Sequence, residues 1–232
     1  MKLLREEIKG IKFFHREGFS DLKTFEEVIG RDVYQKRKNK ISKGEFWYDC
    51  GGNVGAFSLL ALSLGADVEI YEPDPYNCEM IEKNLKLNGF KAKINQLALV
   101  HDDTREAVLY VGNNNQVWRN SLLKNWNGKG IKVPCINFDS AIKEGSNVKM
   151  DIEGIEMPII ETTGRLFQKL IFEWSFDIDD DLTRYWRVLD KLKNNYVIKC
   201  SEFKNKGVTI WPKSWFPACE NVFCYRIKNA ET

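Results

Sequence analysis

Four acidic residues stand at the ends of short apolar runs, and this placement suggests a ligand-binding edge. They are Asp49, Glu72, Asp151 and Glu173. Each run is typical of a buried strand, and the carboxyl ends of parallel strands meet at one edge of an open α/β sheet, where ligands bind. A single acid in such a position is often only the N-cap of the next helix. Its recurrence at four strand ends favours a binding site.

A glycine-rich turn follows the first of these acids, with the pattern Asp49-x-Gly51-x-Asn53-x-Gly55. Helical apolar spacing resumes after it, which predicts strand, glycine loop and helix in succession. Glycines permit a sharp turn and a close approach of backbone to a ligand, and the helix start offers unpaired N–H groups. About 20 residues later, Glu72 ends the next predicted strand, where a carboxylate can accept hydrogen bonds from both hydroxyls of a ribose. A nucleoside ligand is predicted; a ligand-free turn is the alternative.

Two nucleoside cofactors compete for such a loop. A dinucleotide requires Gly-x-Gly-x-x-Gly, but Asn53 or Val54 occupies the second glycine position, depending on the register. The observed pattern resembles motif I of class I methyltransferases, in which the loop wraps the amino-acid part of S-adenosylmethionine (SAM). Asp49 suits that cofactor better than a pyrophosphate, because a carboxylate attracts an ammonium group and repels a phosphate.

Two further elements would complete the cofactor pocket. Pro73 follows Glu72 in a turn, and Asp74 is predicted to cap a helix that ends near Leu87. A third strand is predicted within residues 91–100, and in this architecture the loop after it borders the adenine. The predicted cofactor-binding residues are therefore Asp49, Gly51, Asn53, Gly55, Glu72, Pro73, Gln96 and Ala98.

Strands and helices alternate along most of the chain, which predicts an α/β fold. Residues 1–44 precede the first core strand, and their apolar spacing predicts short helices over residues 3–11 and 21–29. Such an N-terminal helical extension is free to fold over the site as a lid. Residues 45–232 are predicted to form the methyltransferase domain, which closes with two strand-like segments that suit an antiparallel edge.

The later part of the chain contains an insert and an acidic run. Strand-like stretches at residues 107–111 and 131–136 predict a hairpin-like insert beside the substrate cleft. The acids at residues 177–181 precede a helix predicted from Leu182 to Leu192, and acids are favoured at a helix N-terminus. We interpret them in that way, and no metal site is predicted.

Composition limits the classes of partner. The 232 residues include 35 basic and 33 acidic side chains, for a formal charge of +2. This balance provides no long-range attraction to nucleic acid or to an anionic membrane. No apolar run approaches the ~20 residues of a membrane-spanning helix, so we expect a cytoplasmic protein that binds neither nucleic acid nor membrane. The six cysteines form no Cys-x-x-Cys pair and are predicted to be reduced. Oligomeric state, and whether the chain is a whole protein or part of one, stay open.

Several motifs in a fixed order resemble the FkbM-type family of SAM-dependent methyltransferases. The resemblance covers about residues 32–175, and its most specific part is the Lys-x-Asp-x-Glu-Gly-x-Glu pattern. Its elements are motif I, Tyr71-Glu72-Pro73-Asp74, Asn120-Ser121-Leu122, the run from Val133 to Asp139, and residues 149–156. The resemblance implies a seven-stranded, mostly parallel sheet with one antiparallel strand near its edge and helices on both faces. It also implies methylation of a hydroxyl on a sugar or natural product. The chain is similar to the methyltransferase portions of chlorovirus glycan-building enzymes, which implies a deoxyhexose such as rhamnose.

Methyl transfer to a hydroxyl calls for a base. The reaction is an in-line displacement that places the acceptor oxygen about 3 Å from the methyl carbon, and the hydroxyl becomes a good nucleophile only as its proton is withdrawn. Asp151 is the first candidate, because the end of the fourth strand faces the methyl group in this fold and the sulfonium charge favours an ionised carboxylate. Glu153 and Glu173 follow. We interpret His15 and His101 as structural or surface residues.

Aromatic residues bear on the acceptor. A flat indole can cover the apolar face of a sugar while its N–H reaches a hydroxyl, although each tryptophan is more often a core residue. The predicted substrate-binding residues are Trp118, Ser121, Trp174 and Trp215. A methyltransferase for a small phenolic or lipid-like acceptor, and an inactive SAM-binding scaffold, are the alternatives.

Overall fold

The computed structural model describes residues 2–35, 37–112, 120–201 and 219–227. Twelve strands and six α-helices lie within them. In chain order they are β1 (Leu3–Ile8), β2 (Ile11–Arg16), α1 (Asp21–Phe25), β3 (Phe46–Cys50), α2 (Ala56–Ser63), β4 (Asp67–Tyr71), α3 (Pro75–Leu87), β5 (Lys93–Asn95), β6 (Ala98–Val100), β7 (Glu106–Tyr110), β8 (Gly130–Asn137), α4 (Phe138–Ala141), β9 (Asn147–Met150), α5 (Glu156–Thr162), β10 (Lys169–Ser175), α6 (Leu182–Leu192), β11 (Tyr196–Cys200) and β12 (Cys219–Arg226).

A seven-stranded sheet organises these elements, in the order β11-β12-β10-β9-β3-β4-β5. Strand β12 runs antiparallel to both of its neighbours, while the pairs from β10 across to β5 are parallel. This confirms the predicted mostly parallel sheet with one antiparallel strand near its edge. Strand β3 has β4 on one side and β9 on the other, so the strand order reverses there, and ligands bind beyond the carboxyl ends of the strands at such a switch point.

Helices cover both faces of the sheet, as predicted. Side chains of α2 and α3, such as Leu59 and Ile81, share one apolar layer with the N-terminal segment. Side chains of α5 and α6, such as Ile159 and Val188, share the other. None of the helices in the described ranges is long and apolar enough to cross a membrane. All six cysteines have free thiols in the structure.

The helix predicted over residues 3–11 is wrong, because residues 3–16 form the antiparallel hairpin β1–β2. Lys9 and Gly10 at its turn both have positive φ, of 50° and 83°, as the favoured two-residue hairpin turns require. In β2 the exposure alternates, with Ile11 and Phe13 buried and Lys12 exposed, which is the period of a half-buried strand. The second predicted helix is confirmed as α1, which continues into a π-helical turn over Glu26–Gly30.

The predicted third strand within residues 91–100 is two strands. Strand β5 ends the main sheet at Asn95, whose side-chain amide donates to the backbone oxygen of Ile70 at 3.1 Å. After a turn, β6 pairs with β8 in a separate sheet of order β6-β8-β7. Strands β7 and β8 are antiparallel, which confirms the predicted hairpin-like insert.

The acidic run before α6 behaves as the sequence predicts. Asp181 is the N-cap, and its Oδ1 accepts from the backbone N–H groups of Thr183 and Arg184 at 2.9 and 3.1 Å. Asp179 pairs with the Arg184 guanidinium at 3.0 Å. These contacts stabilise the start of the helix.

Candidate functional site

A cavity of about 370 Å³ lies at the carboxyl ends of β3, β4, β9 and β10. Three of the four strand-end acids line it: Glu72, Asp151 and Glu173. The glycine loop, the residues before β6, the insert and the N-terminal segment supply the other walls. One cavity thus brings together most of the elements that the sequence assigns to the cofactor and to the chemistry.

The glycine loop turns against the neighbouring strand end. Gly51 has a φ of +83°, and a Cβ there would overlap the backbone carbonyl of Asp151. A Cβ on Gly52 would lie 2.5 Å from Cγ2 of Ile70. Glycine is therefore required at Gly51 because backbone packs on backbone, and at Gly52 because side chains pack against it, in addition to any approach to a ligand. Asn53 lines the cavity with a φ of 50°.

The last glycine of the motif has a structural role. Gly55 precedes α2 as its N-cap, with a φ of 89°, and a Cβ there would contact Ile81 at 3.4 Å. It lies outside the cavity lining. Gly55 therefore sets the start of α2, whereas Gly51, Gly52 and Asn53 line the cavity.

Glu72 is held by backbone donors. Its Oε2 accepts from the N–H of Asn53 at 2.7 Å, and its Oε1 accepts from the N–H of Asp74 at 2.9 Å. The Asn77 amide lies 3.5 Å from Oε1. Burial raises the pKa of Glu72 to about 7, with the charge of Asp74 adding to the shift and the N–H donors opposing it. A carboxylate has about four lone-pair sites, so at least one remains for a hydroxyl donor from the cavity.

Asp49 lies away from the ligand space. It is fully buried, it accepts from the Ser58 hydroxyl at 2.6 Å, and its Oδ1 lies 3.1 Å from the Lys149 ammonium. The ammonium partner that the sequence led us to expect from a ligand is therefore a lysine of this chain. Asp49 acts on the loop indirectly, because Lys149 also donates to the backbone oxygen of Gly51 at 2.6 Å.

Lys149 is a buried side chain that carries a positive charge. Burial disfavours its ammonium form, but Asp49 and Asp151 outweigh that effect, so the pKa of Lys149 is raised above its ordinary value. The sequence pattern contained this lysine, but nothing in the pattern assigned it a role.

The wall predicted to hold the adenine is apolar. Pro73 and Ala98 line the cavity together with Leu97 and Leu99. Gln96 is exposed and lies outside the lining, because the chain leaves the main sheet after Asn95 and turns this side chain outward. The structure thus brings two of the three predicted residues of this region to the cavity.

Three carboxylates form a cluster at one end of the cavity. One oxygen from each of Asp151, Glu153 and Glu173 lies within 4.8 Å of the other two. Burial, and next the negative charge of Asp151, raise the pKa values of Glu153 and Glu173 well above their ordinary range. Oxygen donors at this spacing also suit a divalent cation, so the absence of a metal stays a prediction. The structure brings together all three residues predicted to be catalytic.

The loop that presents Glu153 is fixed by a local cap. Glu156 accepts from the N–H groups of Ile152 at 2.5 Å and Gly154 at 2.7 Å. Glu153 itself has a φ of 57°, which is uncommon outside glycine. Burial raises the pKa of Glu156 to about 7. The Glu-Gly-x-Glu part of the motif therefore shapes a tight turn whose strained residue points its carboxylate into the cluster.

The structure does not bring the described candidates for substrate binding to the cavity. Ser121 is fully buried, and its hydroxyl donates to the backbone oxygen of Glu153 at 2.6 Å. Trp174 is 1% exposed, and its indole N–H donates to the backbone oxygen of Asp179 at 2.6 Å. Successive residues of a strand face opposite sides, so Trp174 enters the core where Glu173 enters the cavity. Trp118 and Trp215 lie outside the described residues.

Sequence reasoning missed several residues that line the cavity. Tyr34 belongs to the N-terminal segment, Asn77 lies in the first turn of α3, Asn120 precedes Ser121, and Asn221 lies on β12. Asn120 binds the helix cap, since its amide donates to Asp74 at 2.8 Å. Only Asn120 stood in a motif, so only its role could have been anticipated.

Comparison with known families decides the identity of the domain. Residues 49–198 match the family described as Methyltransferase FkbM domain. The chain belongs to the FkbM methyltransferase family. It is thus a SAM-dependent methyltransferase by family, as the motifs at the strand ends indicate. None of the curated proteins compared with it matches.

Several solved structures are similar to this FkbM methyltransferase at low sequence identity. An rRNA methylase from Streptococcus thermophilus has 11% identity and a TM-score of 0.49, with 81% of this chain and 90% of that chain covered. TYW2 from M. jannaschii, in complex with AdoMet, has 14% identity and a TM-score of 0.46, with 97% and 87% covered. The Pyrococcus abyssi tRNA (uracil-54, C5)-methyltransferase, in complex with S-adenosyl-L-homocysteine, has 14% identity and a TM-score of 0.49, with 98% and 45% covered.

The residues of the FkbM methyltransferase cavity fit SAM. At Gly51 and Gly52, where neighbouring protein atoms leave no space for a Cβ, bare backbone lines the cavity. Glu72 offers a carboxylate that is already oriented. Ala98 and Pro73 offer an apolar wall. The donor set therefore suits a positively charged nucleoside better than a polyphosphate.

Proposed function

We propose that this FkbM methyltransferase transfers a methyl group from SAM to a hydroxyl of a neutral, sugar-like acceptor, with a carboxylate as general base. The observation that carries the proposal is the cluster of Asp151, Glu153 and Glu173 in the same cavity as the glycine loop and Glu72. A hydroxyl acceptor needs a base, and a group of carboxylates at the strand ends supplies one.

The cofactor would be held at two points. Glu72 would accept hydrogen bonds from the ribose hydroxyls, and the backbone of Gly51 to Asn53 would surround the methionine part. When bound, SAM supplies an activated methyl group on a sulfonium. The negative charge of Asp151 in the nearby cluster would stabilise that positive charge.

Asp151 is proposed as the base that receives the proton of the acceptor hydroxyl. The raised pKa values of Glu153 and Glu173 favour their protonated forms. Like charges this close disfavour full ionisation of the group, so Asp151 can carry the negative charge while its neighbours keep their protons. They would then position the acceptor through hydrogen bonds that they donate.

The charge of the cavity defines the class of acceptor. Among the described lining residues there are five carboxylates and two lysines, namely Glu27, Glu72, Asp151, Glu153, Glu173, Lys23 and Lys149. One of the lysines, Lys149, is paired with the Asp49 carboxylate and donates to the backbone oxygen of Gly51. Even with Glu153 and Glu173 protonated, the lining has no excess of positive charge that would hold a phosphate, which disfavours a nucleic-acid acceptor. The apolar lining at Val33 and Leu122 suits a deoxyhexose such as rhamnose, whose ring offers both hydroxyls and a methyl group.

The N-terminal segment is proposed to cover this site. Thr24, Glu27, Val28, Val33 and Tyr34 all line the cavity. The segment precedes the first core strand and packs in one apolar layer with α2 and α3, so it covers the site as a packed wall. In this proposal residues 1–44 complete the acceptor side and residues 45–232 form the methyltransferase domain.

An acceptor panel tests the proposal. Labelled SAM is incubated with rhamnosides and other free or linked sugars, simple phenols, long-chain alcohols and a short RNA, and the products are analysed by mass spectrometry. We expect label on a sugar hydroxyl. Label found only on a phenol, a lipid alcohol or RNA would show that the acceptor is not a sugar. If no member of the panel is methylated, the SAM-binding scaffold is favoured.

A further inference from the structure

Tyr34 is brought into the reaction centre by the N-terminal segment, outside the residues that match the family. Its side chain is buried, with the residue 5% exposed, and its ring packs edge-on against Phe57 with centroids 5.5 Å apart. Its hydroxyl lies 3.3 Å from Oδ2 of Asp151 and donates to it. The ring is thus held by packing, and the hydroxyl is aimed at one carboxylate oxygen.

We infer that Tyr34 is a positioning residue for methyl transfer, whose hydroxyl keeps the Asp151 carboxylate ionised and in one orientation. The inference rests on the proposed function in taking Asp151 as the base. A hydrogen bond to the charged form of a carboxylate favours that form, and hydrogen bonds to charged groups are among the stronger ones. In structures without substrate, catalytic hydrogen bonds are often long and shorten in the complex.

The direction of the hydrogen bond follows from the surroundings of Tyr34. Burial, and then the charges of Asp151, Glu173 and Asp49, raise the pKa of Tyr34 well above its ordinary value. The phenol therefore keeps its proton throughout the working pH range. It is a permanent donor, and the ionised carboxylate of Asp151 is the acceptor within its reach.

Other groups around Asp151 must be considered in any pH effect. They lie on its own strand, on the next loop and helix, on β10 and on β12. They are Lys149, Glu153, Glu156, Glu173 and Cys219. Since replacement of Tyr34 by phenylalanine leaves all of these in place, the change isolates the contribution of one hydroxyl.

The experiment compares Tyr34→Phe, Tyr34→Ala and a control, Tyr196→Phe. Tyr196 is also buried, at 3% exposed, and its hydroxyl accepts from the Phe167 N–H at 2.6 Å in the core. It is therefore a tyrosine whose hydroxyl bond has no part in the cavity. Tyr34→Ala removes both ring and hydroxyl, so a comparison with Tyr34→Phe separates packing from hydrogen bonding.

Two readouts decide the inference. In Tyr34→Phe the acidic limb of kcat/KM against pH should move to higher pH by about one unit, because loss of the donor makes protonation of the base easier. The dissociation constant for SAM should stay within about twofold of the wild-type value. The second readout is the ¹³C resonance of the Asp151 carboxyl, which needs no acceptor and is assigned by its loss in Asp151→Asn. In Tyr34→Phe the midpoint of its pH titration should also move to higher pH. Tyr196→Phe should lower the melting temperature and displace neither.

The outcomes separate this inference from the proposed function. An unmoved Asp151 resonance in Tyr34→Phe overturns the inference whether or not the enzyme turns over. A displacement of equal size in Tyr196→Phe also overturns it, since the effect would then be general. A displaced resonance in Tyr34→Phe supports the Tyr34–Asp151 contact even if the wild-type protein methylates none of the hydroxyl acceptors. In that case the proposed function is wrong, while the contact stands.

Discussion

The Lys149 ammonium lies 3.1 Å from Oδ1 of Asp49, and the side chains are 5% and 0% exposed. Lys149 also donates to the backbone oxygen of Gly51 at 2.6 Å. This buried pair therefore joins two neighbouring strand ends and fixes the first carbonyl of the glycine loop. It explains why a lysine stands two residues before Asp151.

Removal of one member of this pair should be more damaging than removal of both. Lys149→Met leaves Asp49 charged and buried, which is expected to cost about 3 to 5 kcal/mol in the free energy of unfolding. The double variant Asp49→Asn, Lys149→Met should recover part of that loss. Urea denaturation measures each change. The control is Lys132→Met, which breaks an exposed pair with Glu106 and should leave stability nearly unchanged. Equal effects in Lys149→Met and Lys132→Met would contradict this interpretation.

Gly51 should be intolerant of even one extra carbon. A Cβ there meets the Asp151 backbone, so Gly51→Ala must displace either the loop or β9. Gly10 has the same φ of +83°, but a Cβ on Gly10 would have no neighbouring atom within 4 Å. Gly10→Ala thus measures backbone strain alone, about 1 to 2 kcal/mol. We expect a clearly larger loss of stability and a loss of SAM binding for Gly51→Ala, by denaturation and calorimetry. Equal losses of stability, with SAM binding intact, would show that the close approach has no importance.

Asp151→Asn should separate binding from chemistry. The amide keeps the shape of the side chain but cannot accept a proton, so kcat should fall by about 10² to 10⁴. SAM binding should weaken somewhat, because the charge beside the sulfonium is lost, but it should stay measurable because Glu72 and the glycine loop are untouched. Asp190→Asn, on the exposed side of α6, is the control and should have wild-type rates. A normal kcat in Asp151→Asn would transfer the role of base to Glu153 or Glu173.

SAM affinity should depend on pH through Glu72. Its pKa is raised to about 7, so below that pH the free protein holds a proton that the ribose hydroxyls must displace. Affinity should therefore weaken as pH falls from about 8 to about 6, by at most about tenfold per unit. Titrations in buffers of different ionisation enthalpy would detect the released proton. Glu72→Gln should bind more weakly at the higher pH and lose the slope. A slope of the same size in the variant would assign the effect to another group.

Much of the sheet could be predicted because its signals are local. Apolar runs that end in an acid marked β3, β4, β9 and β10, and the cap of α3 and the acids before α6 lie where the sequence placed them. The acid cluster also followed, since adjacent parallel strands place their carboxyl ends together. These features depend on residues close to one another in sequence.

The remainder depends on contacts between distant residues. Tyr34 meets Asp151 across 117 positions, and Lys149 meets Gly51 across 98. Neither contact leaves a local pattern. Ser121 belongs to a motif that the sequence showed, but its hydroxyl donates to the backbone oxygen of Glu153 and lies outside the cavity lining. The hairpin β1–β2 was missed because its strands are short and the turn Lys9-Gly10 interrupts a spacing that also suits a helix.

Isothermal titration calorimetry of the wild-type chain with SAM tests the central claim most directly, with Glu72→Ala and NAD as comparisons. The structure places a carboxylate between the N–H groups of Asn53 and Asp74 and a row of acids beside it, so SAM should bind to one site per chain. Glu72→Ala should weaken that binding by about tenfold or more, and NAD should not bind. An absence of heat with SAM, together with clear binding of NAD, would contradict the account.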